Sequence, residues 1–172
     1  MRPRALATCT ALAVALAGAA AATGSERQVV IVRVKLCTPA EVKRTVAGFI
    51  AAFNAGDTRR LDRAFAQKPY FRWYSTDAPG ERLLPIAADR ASLVPYFARR
   101  HALGERLALR SLRVNGNTLA SGRGWKTYGN FQYTVVRQAS DLPATDYRGK
   151  GALHCYATRP DELIVWSMGR AT

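Results

Sequence analysis

The stretch 38–66 constrains the fold more than any other part of the chain. Thr38-Pro39-Ala40-Glu41 spells the start of a helix. The Thr38 hydroxyl can accept from the amide three residues on, and Glu41 can reach back to the cap amide. Pro39 takes the first helical position, where a missing N–H costs nothing. Val42, Val46, Phe49, Ile50 and Phe53 then recur on one helical face. The run stops at Asn54-Ala55-Gly56. Asp57 caps a second, shorter helix whose inner positions are Leu61, Ala64 and Phe65.

Strands follow. Residues 71–75 read as one, 76–80 as a turn and 82–86 as its partner. Asp89 or Ser92 opens a third helix that runs to about Leu103, before Gly104. Pro95 is tolerated only near a first turn, so the regular part of this helix is expected to begin late. Four further strands fit 106–114, 127–138, 148–157 and 162–168. They are joined by a Gly/Asn/Ser-rich loop at 115–124, a link at 140–143 and a turn at Arg159-Pro160-Asp161. Ahead of the first helix, Val30, Val32, Val34 and Leu36 alternate with Arg33 and Lys35 in an extra strand at 29–36. Its charges suit a sheet edge. The pattern holds no internal repeat and no second domain.

The N-terminus reads as an export signal. Arg2 and Arg4 precede an apolar run at 5–17, then Gly18 and the alanines 19–22, then polar residues. That order is the mark of a secretory signal peptide, and the run is short for a membrane-spanning helix. Cleavage near Ala21 or Ala22 divides the chain into a signal peptide (1–22), an extension with the edge strand (23–37) and the main domain (38–172). The mature protein is expected outside the cytoplasm, secreted or periplasmic, with no membrane attachment. Cys9 leaves with the signal. Cys37 and Cys155 remain, and in an oxidising compartment such a pair is expected to form a disulfide. Closing a loop of this length contributes about 4–5 kcal/mol by chain-entropy reckoning.

The 172-residue chain is strongly basic, at +14, and +12 once Arg2 and Arg4 are gone. Such charge attracts anionic surface polymers. The basic residues are scattered, with no run longer than Arg59-Arg60 or Arg99-Arg100, so no specific nucleic-acid face is expected. Drift toward an Ala- and Arg-rich composition explains the excess as well.

The order of elements, with "VAGFIAAFNAGDTRRLDRAFA" at 46–66, resembles the NTF2-like superfamily, which includes SnoaL-like and ketosteroid-isomerase-like proteins. The aromatic strand around Trp73, the helix ending in Tyr96-Phe97-Ala98-Arg99-Arg100-His101, "GNFQYTVVR" at 129–137, "GKGALHC" at 149–155 and "IVWSMG" at 164–169 extend the resemblance over about 38–170. It implies an α+β cone: a curved mixed or antiparallel sheet wrapped on the long first helix, with two further helices and here an extra N-terminal strand. Members with this fold use the cavity for isomerase, dehydratase, cyclase or epoxide-hydrolase chemistry, or only to bind. Others pair through the outer sheet face, which makes a homodimer a candidate here. Fold alone does not choose among these.

The residues themselves offer few reactive sets. Asp57 is best used as a cap, and Asp77, Glu81, Asp89, Asp141, Asp146, Asp161 and Glu162 fall in turns or at element ends. No buried carboxylate base is expected. His101, near the inner face at the end of the third helix, and His154, beside Cys155, are the weak catalytic candidates, with Tyr96 as a partner. Phe53, Trp73, Tyr96, His101, Tyr133 and Trp166 are candidates to line a cavity holding a small, partly apolar ligand. Core packing accounts for the aromatics equally well. Two histidines 53 residues apart have no metal-ligand spacing, and no cofactor is indicated. The expectation is a domain that binds a small, partly apolar ligand or a protein partner without catalysis, with a His/Tyr isomerase or dehydratase and a basic module for anionic cell-surface polymers as alternatives.

Overall fold

A computed structural model of the protein describes residues 34–66, 72–75, 84–87, 90–120 and 126–171. The signal stretch, positions 29–33 of the edge strand and the turn at 76–80 lie outside these residues.

Helix α1 (Pro39–Ala55) begins with the expected capping box. The Glu41 amide donates to Thr38 Oγ1 at 3.3 Å, and the Thr38 amide donates to Glu41 Oε2 at 2.9 Å. The neighbouring Lys35 ammonium, then the Thr38 amide, hold the Glu41 carboxyl down to about 2. Val42, Val46, Phe49, Ile50 and Phe53 are all buried, so the apolar stripe is the packed face. Gly56 ends the helix with a positive φ of 66°, open to glycine without strain. Asp57 then caps α2 (Thr58–Ala64) by accepting from the Arg60 amide at 3.0 Å.

Among the described residues seven strands form the sheet: β1 (Val34–Lys35), β2 (Arg72–Ser75), β3 (Leu84–Ala87), β4 (Arg106–Ala120), β5 (Lys126–Ala139), β6 (Leu142–Tyr156) and β7 (Glu162–Arg170). Their order is β3-β2-β7-β6-β5-β4, with β1 paired to the far end of β6. All pairs are antiparallel except β2 with β7. Two of the expected links are strand instead. β4 continues to Ala120 through the Gly/Asn segment, because register shifts at Leu109/Ser111 and Val114/Gly116 bend it without ending its pairing with β5. β6 begins at Leu142, leaving only Ser140 and Asp141 as the turn. Helix α3 (Arg90–Ala102) also departs from expectation. It contains Pro95 well inside its length, where the ring removes one main-chain hydrogen bond.

The core lies between α1 and the inner sheet face. Phe49 meets Phe65 edge-on at 5.4 Å, and Trp166 stacks on Tyr133 at 4.2 Å. Gly149 and Gly151 on β6 make this possible. The Tyr133 and Phe131 rings of β5 lie across them toward β7, and a Cβ at Gly149 would overlap both Tyr133 and the Ser167 carbonyl. The Tyr133 hydroxyl donates to that carbonyl at 2.9 Å. Cys37 and Cys155 form a disulfide, with Cα atoms 5.2 Å apart, joining the entrance of α1 to β6.

Two asparagines act as stand-in peptide groups. Asn54, at the end of α1, donates to the Leu107 carbonyl (2.9 Å) and accepts from its amide (2.8 Å). Asn117 does the same for Cys37, at 3.0 and 2.9 Å. Each ties a distant segment to β4 and satisfies main-chain groups that strand pairing leaves over.

Candidate functional site

Among the described residues one carboxylate is fully buried. Glu105 follows the positive-φ Gly104 at the end of α3 and stands just ahead of β4, with none of its surface exposed. Its Oε1 accepts from Arg137 Nε at 2.7 Å, and its Oε2 accepts from Arg100 Nε and from Arg137 at 3.3 Å. Arg100 carries a second acid, binding Asp141 through both terminal nitrogens at 2.7 and 2.9 Å. Burial alone would lower the Arg100 guanidinium. Hydrogen bonds to Asp141 and Glu105 outweigh that and raise it. The Tyr96 hydroxyl lies 3.4 Å from Arg137, whose guanidinium also sits 5.2 Å from the centre of the Tyr147 ring. Glu105 is not singled out by the sequence; the expectation there concerns a buried carboxylate base on a strand, and Glu105 precedes β4. Both Glu105 oxygens are occupied by the two guanidiniums, so the group faces its partners rather than a ligand. The sequence carries only a faint sign of it: an acid directly after a helix-ending glycine, whose partners lie 5 and 32 residues away.

The sequence-derived candidates are dispersed. Phe53, Tyr96, Tyr133 and Trp166 belong to the buried core. Burial pushes the Tyr133 phenol well above its ordinary value, with the Arg137 charge pulling the other way, so it stays neutral. Trp73 lies on β2, its backbone in register with Trp166. His101 packs its ring against Gly56, and its buried Nδ1 has no hydrogen-bond partner among the described residues. His154 alternates to the outer sheet face, opposite to its neighbours Leu153 and Cys155. There its ring lies 4.9 Å from that of Tyr128 and 5.9 Å from that of Tyr156. The two histidines thus do not share a site. Among the described residues no three His, Cys, Asp or Glu side chains gather as a metal site.

A groove of about 640 Å³ opens between α1, α2 and the β6–β7 turn. Gly48, Phe49, Ala52 and Ala64 supply its apolar side, and charged residues form the rim. The acids of that rim are committed. Glu41 serves the capping box and Lys35. Asp161 accepts from the Tyr156 amide at 3.2 Å and from Thr45 at 3.4 Å, with Arg44 at 3.9 Å. Glu162 accepts from the Tyr156 hydroxyl at 3.1 Å and from Arg159 at 3.2 Å. Burial, ahead of the opposing pull of Arg159, raises the Tyr156 phenol and keeps it a donor. The guanidiniums of Arg60 and Arg63 have no partner among the described residues.

A long capped helix laid on an open, mostly antiparallel sheet, with two shorter helices, is the arrangement of many solved structures. A candidate dehydratase of the NTF2-like family from Streptomyces avermitilis superposes with a TM-score of 0.53 at 13% identity, covering 77% of this chain and 95% of that one. The chain has an NTF2-like fold. A cystatin-like-fold protein of unknown function from Nostoc punctiforme gives a TM-score of 0.55 at 12% identity over 77% and 90% of the two chains. A Catenulispora acidiphila protein in complex with S-DNPA gives 0.50 at 14% identity over 76% and 91%. No family model and no curated relative matches the sequence. Identities this low speak for the NTF2-like fold and leave the activity open.

Proposed function

We propose that the protein is an exported, non-catalytic NTF2-like binding domain, and that the groove between α1, α2 and the β6–β7 turn takes a small, partly apolar ligand with an anionic head. The observation that carries this reading is the imbalance at the groove. Every acid on its rim is already hydrogen-bonded, whereas Arg60 and Arg63 stand unpaired beside an apolar floor. A ligand with an apolar body and a carboxylate or sulfate would cover the floor and complete the arginines. Export is supported by the N-terminal pattern and by the formed disulfide, and no helix of the described residues is long and apolar enough to cross a membrane.

Titration calorimetry with decanoate and 2-naphthoate, each against its matching alcohol, tests the site. The acids should bind and the alcohols should bind far more weakly. The pair Arg60→Gln, Arg63→Gln should weaken the acids about tenfold, the effect of one charge-assisted hydrogen bond. Equal binding of acids and alcohols, or none, would refute the reading.

A dehydratase-type enzyme is the competing reading, suggested by the named function of the Streptomyces neighbour. Within the cone its acid–base pair would be His101 and Tyr96. They stand five residues apart on α3, about 140° around the helix axis from one another, so they do not converge. The Tyr96 hydroxyl is engaged by Arg137 instead.

A further inference from the structure

A second groove, of about 510 Å³, lies on the face of the sheet turned away from α1. Its walls follow from strand register. Arg113 of β4 pairs with Gln132 of β5, Gln132 with Lys150 of β6, and Lys150 with Ser167 of β7. The next row reads Ser111, Thr134, Arg148, Gly169. Alternation sends Tyr133 and Trp166 inward, so these two rows present their side chains on the outer face. Arg113, Gln132, Arg148 and Lys150 are exposed, and Ser167 is nine-tenths buried at the floor. None of the three cations has an ion pair or side-chain hydrogen bond among the described residues. No acid lines the groove; Asp146, two residues from Arg148 on the same face, stays outside it.

Three uncompensated cations beside hydroxyl and amide donors form an oxyanion site. Arg113 and Lys150 flank the row that Gln132 occupies. Arg148 marks a second position about 7 Å further along β6, the distance of two strand residues. We infer that this outer groove binds a polyanion with repeated phosphoryl groups, one oxyanion at each row. The guanidinium fork, the ammonium and the hydroxyls are the donors suited to phosphoryl oxygens. The same charges oppose self-association. Two copies meeting through this face would bring six cations together, so a phosphoryl chain is a better occupant than a second copy. The inference is independent of the α1–α2 groove and of its ligand.

Calorimetry with inorganic phosphate, tripolyphosphate and long-chain polyphosphate at several salt concentrations tests it. Tripolyphosphate should bind at least tenfold more tightly than monophosphate. Tighter molar binding of the long chain would mark a polymer as the source, and equal binding a small free anion. With three cations engaged, log K should fall against log salt with a slope of about −2. Arg148→Gln with Lys150→Gln should cut affinity at least tenfold and more than halve that slope. The matched removal of two remote charges, Lys43→Gln with Arg99→Gln, should change affinity less than twofold. Equal losses from both double variants would mean attraction to net charge and would overturn the site. So would the absence of tripolyphosphate binding, or sedimentation showing a dimer that only the Arg148/Lys150 variant dissolves.

Discussion

Two clusters of cationic side chains lie on opposite sides of the sheet, one where Arg137 of β5 meets Arg100 of α3 and one across β4, β5 and β6, and their surroundings differ. On the inner face Arg137, with Arg100 beside it, closes on Glu105, and Arg100 also holds Asp141. On the outer face Arg113, Arg148 and Lys150 stand in a row-by-row array with no acid between them. Burial makes the difference. A guanidinium removed from water must be paired where it lies, whereas one left in water can stay open and be offered to something else. Arginine content alone, although arginine dominates the basic residues, does not distinguish the two. One cluster is part of the core, and the other is available surface.

The largest test of this contrast is Glu105→Gln. It takes the carboxylate away from the buried Arg137 guanidinium and leaves Arg100 with Asp141 alone, and should cost roughly 3–5 kcal/mol of stability by urea unfolding. Arg148→Gln on the outer face should move the same midpoint by less than about 0.5 kcal/mol. Comparable losses would mean that the outer charges are structural too. Gly149→Ala tests the partition between the faces themselves. It places a methyl against Tyr133 and the Ser167 carbonyl and should cost about 1–3 kcal/mol. Adding Tyr133→Phe should not restore the loss, because the carbonyl still blocks the methyl. Recovery would mean that the strands can shift to make room.

The smallest effect concerns the exposed end of the inner cluster. Hydrogen bonds from Arg100 hold the Asp141 carboxyl below its ordinary value. A lowered carboxyl contributes stability above its unfolded value of about 3.9, and the contribution is lost as pH falls below that. Asp141→Asn should therefore lose a small increment of stability at neutral pH and converge on the parent protein below about pH 4, which flattens the acid limb of the profile. A parallel acid limb in the variant would show that the Arg100 bond contributes nothing.

What was legible in the sequence was local. The capping box, the stripe from Val42 to Phe53, the Gly56 break and the Asp57 cap are written in residues a few positions apart, and each is present as read. The cysteine pairing followed from there being only two candidates outside the stretch expected to be a signal. The NTF2-like order was legible for the same reason, since it is a succession of such local signals. Glu105 was not, because its meaning depends on Arg137 arriving 32 residues later on a neighbouring strand. Nor were the roles of Asn54 and Asn117, which read as helix-end and loop residues until β4 is placed beside them. Strand lengths went wrong where a glycine and two asparagines in β4 imitated a loop. The outer groove was invisible because register alone puts Arg113, Gln132, Lys150 and Ser167 in one row.

The disulfide has a consequence in time as well as in space. Cys155 follows Cys37 by 118 residues and stands near the end of β6, so the second sulfur is made only after β2 to β5 and most of β6. During synthesis nearly the whole sheet therefore has to emerge before there is anything to bond. The bond is a late event in the making of the chain, whereas the helix that Thr38 begins has all of its own signals from the start.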